Sequence, residues 1–156
     1  MSYRVVWFKR DLRLHDHAPL VAPAQAGPVL CLHVVEPGLW AQPDASARQW
    51  GFARESLQDL DLELRVRGGR LVVCVGEVVD VLARLRARAA FVAVHAHEET
   101  GNGWTFARDR AVAACCRAQG VAWREWLPFG VVSGLREREG WQRRRSAAEL
   151  AQQSLF

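Results

Sequence analysis

Two polar segments of the chain carry residues able to hold a ligand or do chemistry, and each follows a short apolar run. The first reads Lys9-Arg10-Asp11-Leu12-Arg13-Leu14-His15-Asp16. Arginine forks match planar anions in geometry and charge, so Arg10 and Arg13 suit a carboxylate, a phosphate or an acidic partner surface. Pairing with local carboxylates is an equally good reading of both, while Asp11 and Asp16 suit capping of backbone N–H groups. The second segment runs from His95 through His97, Glu98, Glu99, Asn102 and Trp104 to Arg108 and Asp109. Its glycines permit close backbone approach, and the helix that follows offers unpaired N–H groups at its positive end. Glu98 and Glu99 can accept hydrogen bonds from ring N–H donors, and Trp104 can stack on an aromatic system. On spacing alone, a tryptophan plugging a gap in the core explains Trp104 better. His95 and His97 alternate along an extended segment and could turn to one side. Without a placed third ligand such as His15 or Glu98, a strand-end His-x-His makes no metal site, and core or crevice histidines are expected. A third loop at the same sheet edge, Val35-Glu36-Pro37-Gly38-Leu39-Trp40, reads as a turn fixed by proline and glycine, with Glu36 able to reach the crevice.

Apolar runs at 3–8, 29–35, 71–75, 91–95 and 121–125 alternate with amphipathic stretches, the pattern of a parallel sheet covered by helices on both faces. The first helix is expected over 16–22, with Asp16 as N-cap, Pro19 in the first turn, and Pro23 and Gly27 at its exit. Trp50, Ala53, Leu57, Leu60 and Leu64 repeat at spacings of three and four, predicting a helix that starts at Ser46 and ends at Gly68-Gly69. Two more helices are predicted over 78–88 and 105–119. The usual doubly wound connectivity gives a five-stranded, Rossmann-like α/β sheet in the order 3-2-1-4-5. The switch point then falls between strands 1 and 4, so the two polar segments face each other across one crevice.

Composition narrows the function classes. There are 21 basic and 17 acidic residues, and residues 132–156 contribute five arginines and three glutamates, so the preceding body is close to neutral. Such a body does not read as a nucleic-acid surface. Lys9 is the only lysine. Four cysteines without a CxxC pair point to reduced thiols and a cytoplasmic setting, and no stretch approaches the ~20 apolar residues of a membrane span. The absence of GxGxxG, Walker A and GxSxG patterns removes the usual warrants for a dehydrogenase, an NTPase or a hydrolase.

The run from Val5 to Leu20, containing Trp7-Phe8-Lys9-Arg10-Asp11-Leu12-Arg13, resembles the opening WFxRDLRxxDxxxL of the photolyase/cryptochrome family. A second stretch, Phe52-Ala53-Arg54-Glu55-Ser56-Leu57 followed by Leu71 to Glu77, resembles that family's helix-strand unit FxxESLxxLxxxLxxxGxxLxVxxG. The resemblance implies an α/β domain over residues 1–131 and a connector over 132–156, leading to a helical domain that these residues do not include. It implies an antenna chromophore (a folate, a deazaflavin or FMN) held by Arg10, Asp11, Leu12, Arg13, Val35, Glu36, His97, Glu98, Glu99, Asn102, Trp104 and Arg108. FAD, DNA contact and the lyase chemistry of a deoxyribodipyrimidine photolyase would belong to the helical domain in cis, leaving this chain inactive alone. Trp126, Leu127 and Phe129 are candidates for the surface facing that domain, with core packing the better reading of Leu127. Two other classes compete: a small nucleotide-binding regulator of the universal-stress or electron-transfer-flavoprotein type, and a scaffold or dimerisation module with an empty crevice.

Overall fold

The computed structural model describes residues 2–128. Ten elements alternate along the chain: β1 (Tyr3–Phe8), α1 (Ala18–Ala26), β2 (Val29–Val35), α2 (Pro37–Trp40), α3 (Ala47–Val66), β3 (Leu71–Val75), α4 (Val78–Arg88), β4 (Phe91–His97), α5 (Gly103–Ala118) and β5 (Ala122–Trp126). The five strands form one parallel sheet in the order β3-β2-β1-β4-β5, as the sequence pattern predicts. β1 lies at its centre, pairing Val6 with Cys31 of β2 and with His95 of β4. Strands covered on both faces read as continuous apolar runs, and Val5, Val6, Trp7 and Phe8 are all buried.

Alternate residues of those strands build two cores. Val5, Trp7, Leu32, Val34 and Val94 pack with Val81 and Leu82 of α4 and Val112 of α5. On the other face Val6, Phe8, Cys31 and Leu71 meet Leu57, Leu60 and Leu64 of α3, with Leu20 of α1 beside them. α3 begins in a capping box: the Ser46 Oγ accepts from the Gln49 N–H at 3.2 Å, and the Gln49 Oε1 accepts from the Ser46 N–H at 2.8 Å. Gly68, at φ +80°, takes the left-handed conformation that ends it.

Several local expectations change. α1 starts two residues later than predicted, with His17 rather than Asp16 at its N-cap, and Asp16 turns to φ 48°. The His17 ring makes no cap bond because Asp11 engages it instead. Pro23 lies inside α1 rather than at its exit. The helix tolerates this near its end, where the N–H that Pro23 lacks would have bonded the Pro19 carbonyl. Pro37 and Gly38 open a four-residue helix instead of a plain turn. β4 reaches His97, two residues past the predicted end, because β5 also runs to Trp126 and pairs with it there.

Candidate functional site

The three polar loops converge at the carboxyl ends of β1, β2 and β4. Lys9 leaves β1 with its side chain buried and donates to Asp109 of α5 at 3.0 Å. Arg10 Nε lies 3.1 Å from Glu99 Oε1. Asp11 turns inward. Its Oδ1 accepts from the Lys9 N–H at 2.9 Å, and its Oδ2 faces His17 Nε2 at 2.5 Å and His97 Nδ1 at 2.7 Å. Burial alone would raise the Asp11 carboxyl, but these two ring donors outweigh it and hold the group well below the usual carboxylate range. Burial pushes His17 down, which favours the neutral ring. The β1 and β4 loops are thereby tied together, with Asp11 as the common acceptor.

Asp11, His17 and His97 place one donor atom each within 4.8 Å of one another, the only such metal-competent group among the described residues. The spacing is that of hydrogen bonds. Ligand atoms at ~2.0–2.1 Å from a tetrahedral zinc lie roughly 3.3 Å apart, wider than either ring-to-carboxylate separation, so the cluster fits shared protons better than an ion. His95 faces elsewhere, with its ring stacked on Trp126 and its Nδ1 accepting from the Trp126 indole at 3.3 Å. Burial, then Arg124 and Arg4, push His95 down to about 4.

Arg108, on the second turn of α5, is the hub of the remaining charges. Nη1 donates to Glu36 Oε2 at 2.7 Å, Nε donates to Asp109 Oδ1 at 3.0 Å, and Nη2 donates to Glu99 Oε2. The guanidinium also lies 4.9 Å from the Trp7 ring and 5.6 Å from the Trp104 ring. Glu36 is 2% exposed, and burial pushes its carboxyl up to about 7 against the opposing pull of Arg108.

Beside this network opens a cavity of about 490 Å³, within the range of small-molecule sites. Its inner end is made by Trp7, His33, Glu36, Glu99 and Arg108. Lys9, Arg10 and Leu12 contribute from the β1 loop, and Leu39, Trp40 and Asp44 from the segment after β2. The remaining wall is the N-terminal half of α3, through Arg48, Gln49, Phe52, Ala53 and Ser56.

The DNA photolyase family model matches residues 4–126. The chain belongs to the DNA photolyase family. It is 39% identical to cryptochrome-2 of Gallus gallus over 82 residues, which are 52% of this chain and 14% of that protein. Among solved structures, it is similar to a class III photolyase from Agrobacterium tumefaciens, with TM-score 0.77 and 26% identity over 89% of this chain and 29% of that one. An archaeal photolyase from Sulfolobus tokodaii, described as holding two FAD molecules and implying a novel light-harvesting cofactor, gives TM-score 0.77 and 26% identity over 94% of this chain and 35% of that one. The chain therefore spans about a seventh of the curated relative and a third of the solved ones. These matches support the photolyase-like reading over the small-regulator alternative.

Within this family domain, the residues named from sequence divide by position. Arg10, Leu12, Glu36, Glu99 and Arg108 line the cavity. Asp11 and His97 lie behind it in their shared network, and Arg13 donates to the Asp16 carbonyl at 3.4 Å. Val35 stays in β2, where its carbonyl accepts from the Gly76 N–H. The Glu98 N–H donates to the Trp126 carbonyl at 2.8 Å. Asn102 caps α5 through the Thr105 N–H, and its amide reaches both Asp44 oxygens at 3.1 and 3.2 Å. Trp104 packs over Gly38 so closely that a Cβ there would stand 2.8 Å from its ring, so the packing reading describes it best.

Leu39 and Trp40, read from sequence as part of the loop after β2, line the cavity, whereas sequence reasoning passed over His33, Asp44 and the α3 wall. A signal existed: Arg48, Phe52 and Ser56 form a second stripe at spacings of four, and Phe52 is 74% exposed at the cavity. Trp126 is half-buried against His95, Leu127 is also half-buried, and Phe129 and the connector expected over 132–156 lie outside the described residues.

Proposed function

We propose that the cavity holds a flat, light-absorbing heterocycle, a folate, deazaflavin or FMN, and that the chain serves as the antenna-binding module of a photolyase- or cryptochrome-like flavoprotein. The observation that carries this reading is the composition of the cavity. Trp7, Leu12, Leu39, Trp40 and Phe52 offer apolar and aromatic surface, while Glu36, Glu99 and Arg108 place a few fixed polar groups at one end. An aromatic guest of two or three fused rings needs that combination. When bound, the chromophore supplies absorption in the near-ultraviolet or blue and passes its excitation to a flavin. The chain's own residues bind and orient it. The Glu36 carboxylate keeps a buried, unpartnered Oε1, a sign that the cavity wall is built to meet a ligand donor. FAD, contact with DNA and the lyase reaction are assigned to a helical domain joined in cis, with residues 132–156 as the connector. No described helix is long and apolar enough to cross a membrane, and we place the domain in the cytoplasm.

The test is retention of colour. The 156-residue chain is incubated separately with FMN, a deazaflavin and methenyltetrahydrofolate, then gel-filtered, and the absorbance of the protein peak is recorded. At least one chromophore should stay with the wild type, and Ala53→Trp, which fills the cavity beneath α3, should lose it by about 10-fold or more. Binding of AMP or ATP in preference to all three, or equal retention by A53W, contradicts the proposal.

A further inference from the structure

Resting on the chromophore reading, the orientation of the guest follows from which polar atoms around the cavity are already used. Each nitrogen of Arg108 donates to a different carboxylate, and Lys9 Nζ is taken by Asp109. Glu36 Oε2 receives Arg108 Nη1, but Glu36 Oε1 is buried with no hydrogen-bond partner. Glu99 repeats the pattern. Its Oε2 receives Arg108, while its Oε1 lies near Arg10 Nε at 3.1 Å without the alignment of a hydrogen bond. A buried carboxylate oxygen left unpaired is costly, and a ligand donor would remove that cost. The opposite end has the reverse character: the Arg10 side chain is 64% exposed, and Arg48 is exposed on α3. Acceptors thus stand at the buried end, while Arg10 and Arg48 stand at the mouth beside one exposed carboxylate, Asp44, whose two oxygens the Asn102 amide engages.

We infer that Glu36 is the specificity residue of this cavity, its free Oε1 accepting a hydrogen bond from a ring N–H on the pyrimidine edge of the chromophore, so that this edge enters first and the anionic tail stays at Arg10 and Arg48. The ligand class is a fused heterocycle with an unsubstituted N–H on its inner edge and a phosphate or carboxylate on its tail. Alkylation of that nitrogen removes the donor.

The experiment is a ligand–protein cycle by equilibrium dialysis at pH ~8.5, where Glu36, raised to about 7, is ionised and can only accept, using FMN and 3-methyl-FMN against the wild-type 156-residue chain and Glu36→Gln. The introduced amide is isosteric with the carboxylate, and with its carbonyl toward Arg108 it presents an NH₂ group where Oε1 stood, turning the acceptor into a donor. Wild type should prefer FMN to 3-methyl-FMN by about 10- to 100-fold, the range for a hydrogen bond to a charged group. In E36Q the preference should fall below about 3-fold, chiefly through weaker FMN binding. A purely steric methyl penalty would persist in E36Q and would overturn the inference. Equal binding of both flavins by wild type also overturns it, on ligands alone and without any variant that must fold, while leaving the chromophore reading intact. Failure to retain FMN, deazaflavin and folate alike contradicts that reading and the inference together.

Discussion

The two sides of the end of β1 have opposite characters although one loop serves both. On the β4 side, Asp11 with His97, Lys9 with Asp109 and Arg10 with Glu99 join the two polar segments directly. On the β2 side, the same loop faces a cavity of about 490 Å³ spanned by α3. Topology marks the β1/β4 boundary as the place where connections diverge and ligands usually bind. Here that boundary is filled with ion pairs, and the open volume is displaced by one strand. The difference arises in α3. Its buried residues, Leu57, Leu60 and Leu64, all belong to the C-terminal part, whereas Arg48, Gln49, Phe52 and Ala53 face the cavity. One helix thus seals the core with one half and covers the cavity with the other.

The sharpest way to break this arrangement is at Arg108, which serves both sides. Arg108→Met leaves Glu36 and Glu99 without their main counter-charge, and removal of one member of a buried ionic cluster costs about 3–5 kcal/mol. Urea denaturation at pH ~7.5 should show a loss of that size. A loss below about 1 kcal/mol would mean that the carboxylates do not depend on it.

The two sides should also separate by pH. Asp11 sits below its ordinary pKa, so its stabilising contribution is present above about 3.9 and is lost only as pH falls further. Glu36 has the opposite sign. Raised to about 7, it contributes stability below pH ~4.5 that disappears as pH rises through 7. The stability of wild type relative to E36Q should therefore fall between about pH 4.5 and 7.5, by about 2–3 kcal/mol in urea midpoints measured across that window. A difference that is flat with pH would contradict the burial of Glu36. His95, lowered to about 4, works in the Asp11 direction, since its contribution is present above 6.5 and lost as pH drops toward 4.

The smallest effect is expected at the α3 cap. Ser46→Ala removes one bond of the capping box and should cost about 1 kcal/mol. Because Ser46 lies next to the cavity-facing half, amide exchange should quicken at Gln49 to Ala53 and stay unchanged at Leu60 and Leu64. Equal acceleration along the helix would show that its two halves are not distinct.

Much of this was legible in the sequence because it is local. Strand order followed from five apolar runs separated by amphipathic ones, α4 has the predicted bounds, and Ser46 and Gly68 mark the ends of α3 as their chemistry requires. What escaped reading depends on distant partners. Asp16 looks like an N-cap, yet α1 starts later because Asp11, six residues before His17, engages that ring. The stripe from Trp50 to Leu64 reads as one continuous core face, and nothing in its period says that the sheet stops supporting it near Leu57. Trp50 instead meets Trp40, at 5.1 Å between ring centroids. Glu36 was legible as a residue near the edge; its single unpartnered oxygen depends on Arg108, 72 residues away.

The central claim, that the guest lies beneath α3 and not between β1 and β4, is tested most directly by backbone amide shifts recorded during titration with the chromophore that the wild-type chain retains. The account predicts the largest changes at Glu36, Arg48, Gln49, Phe52 and Ala53. Shifts concentrated at His97, Glu98 and Trp126, with α3 silent, would contradict it.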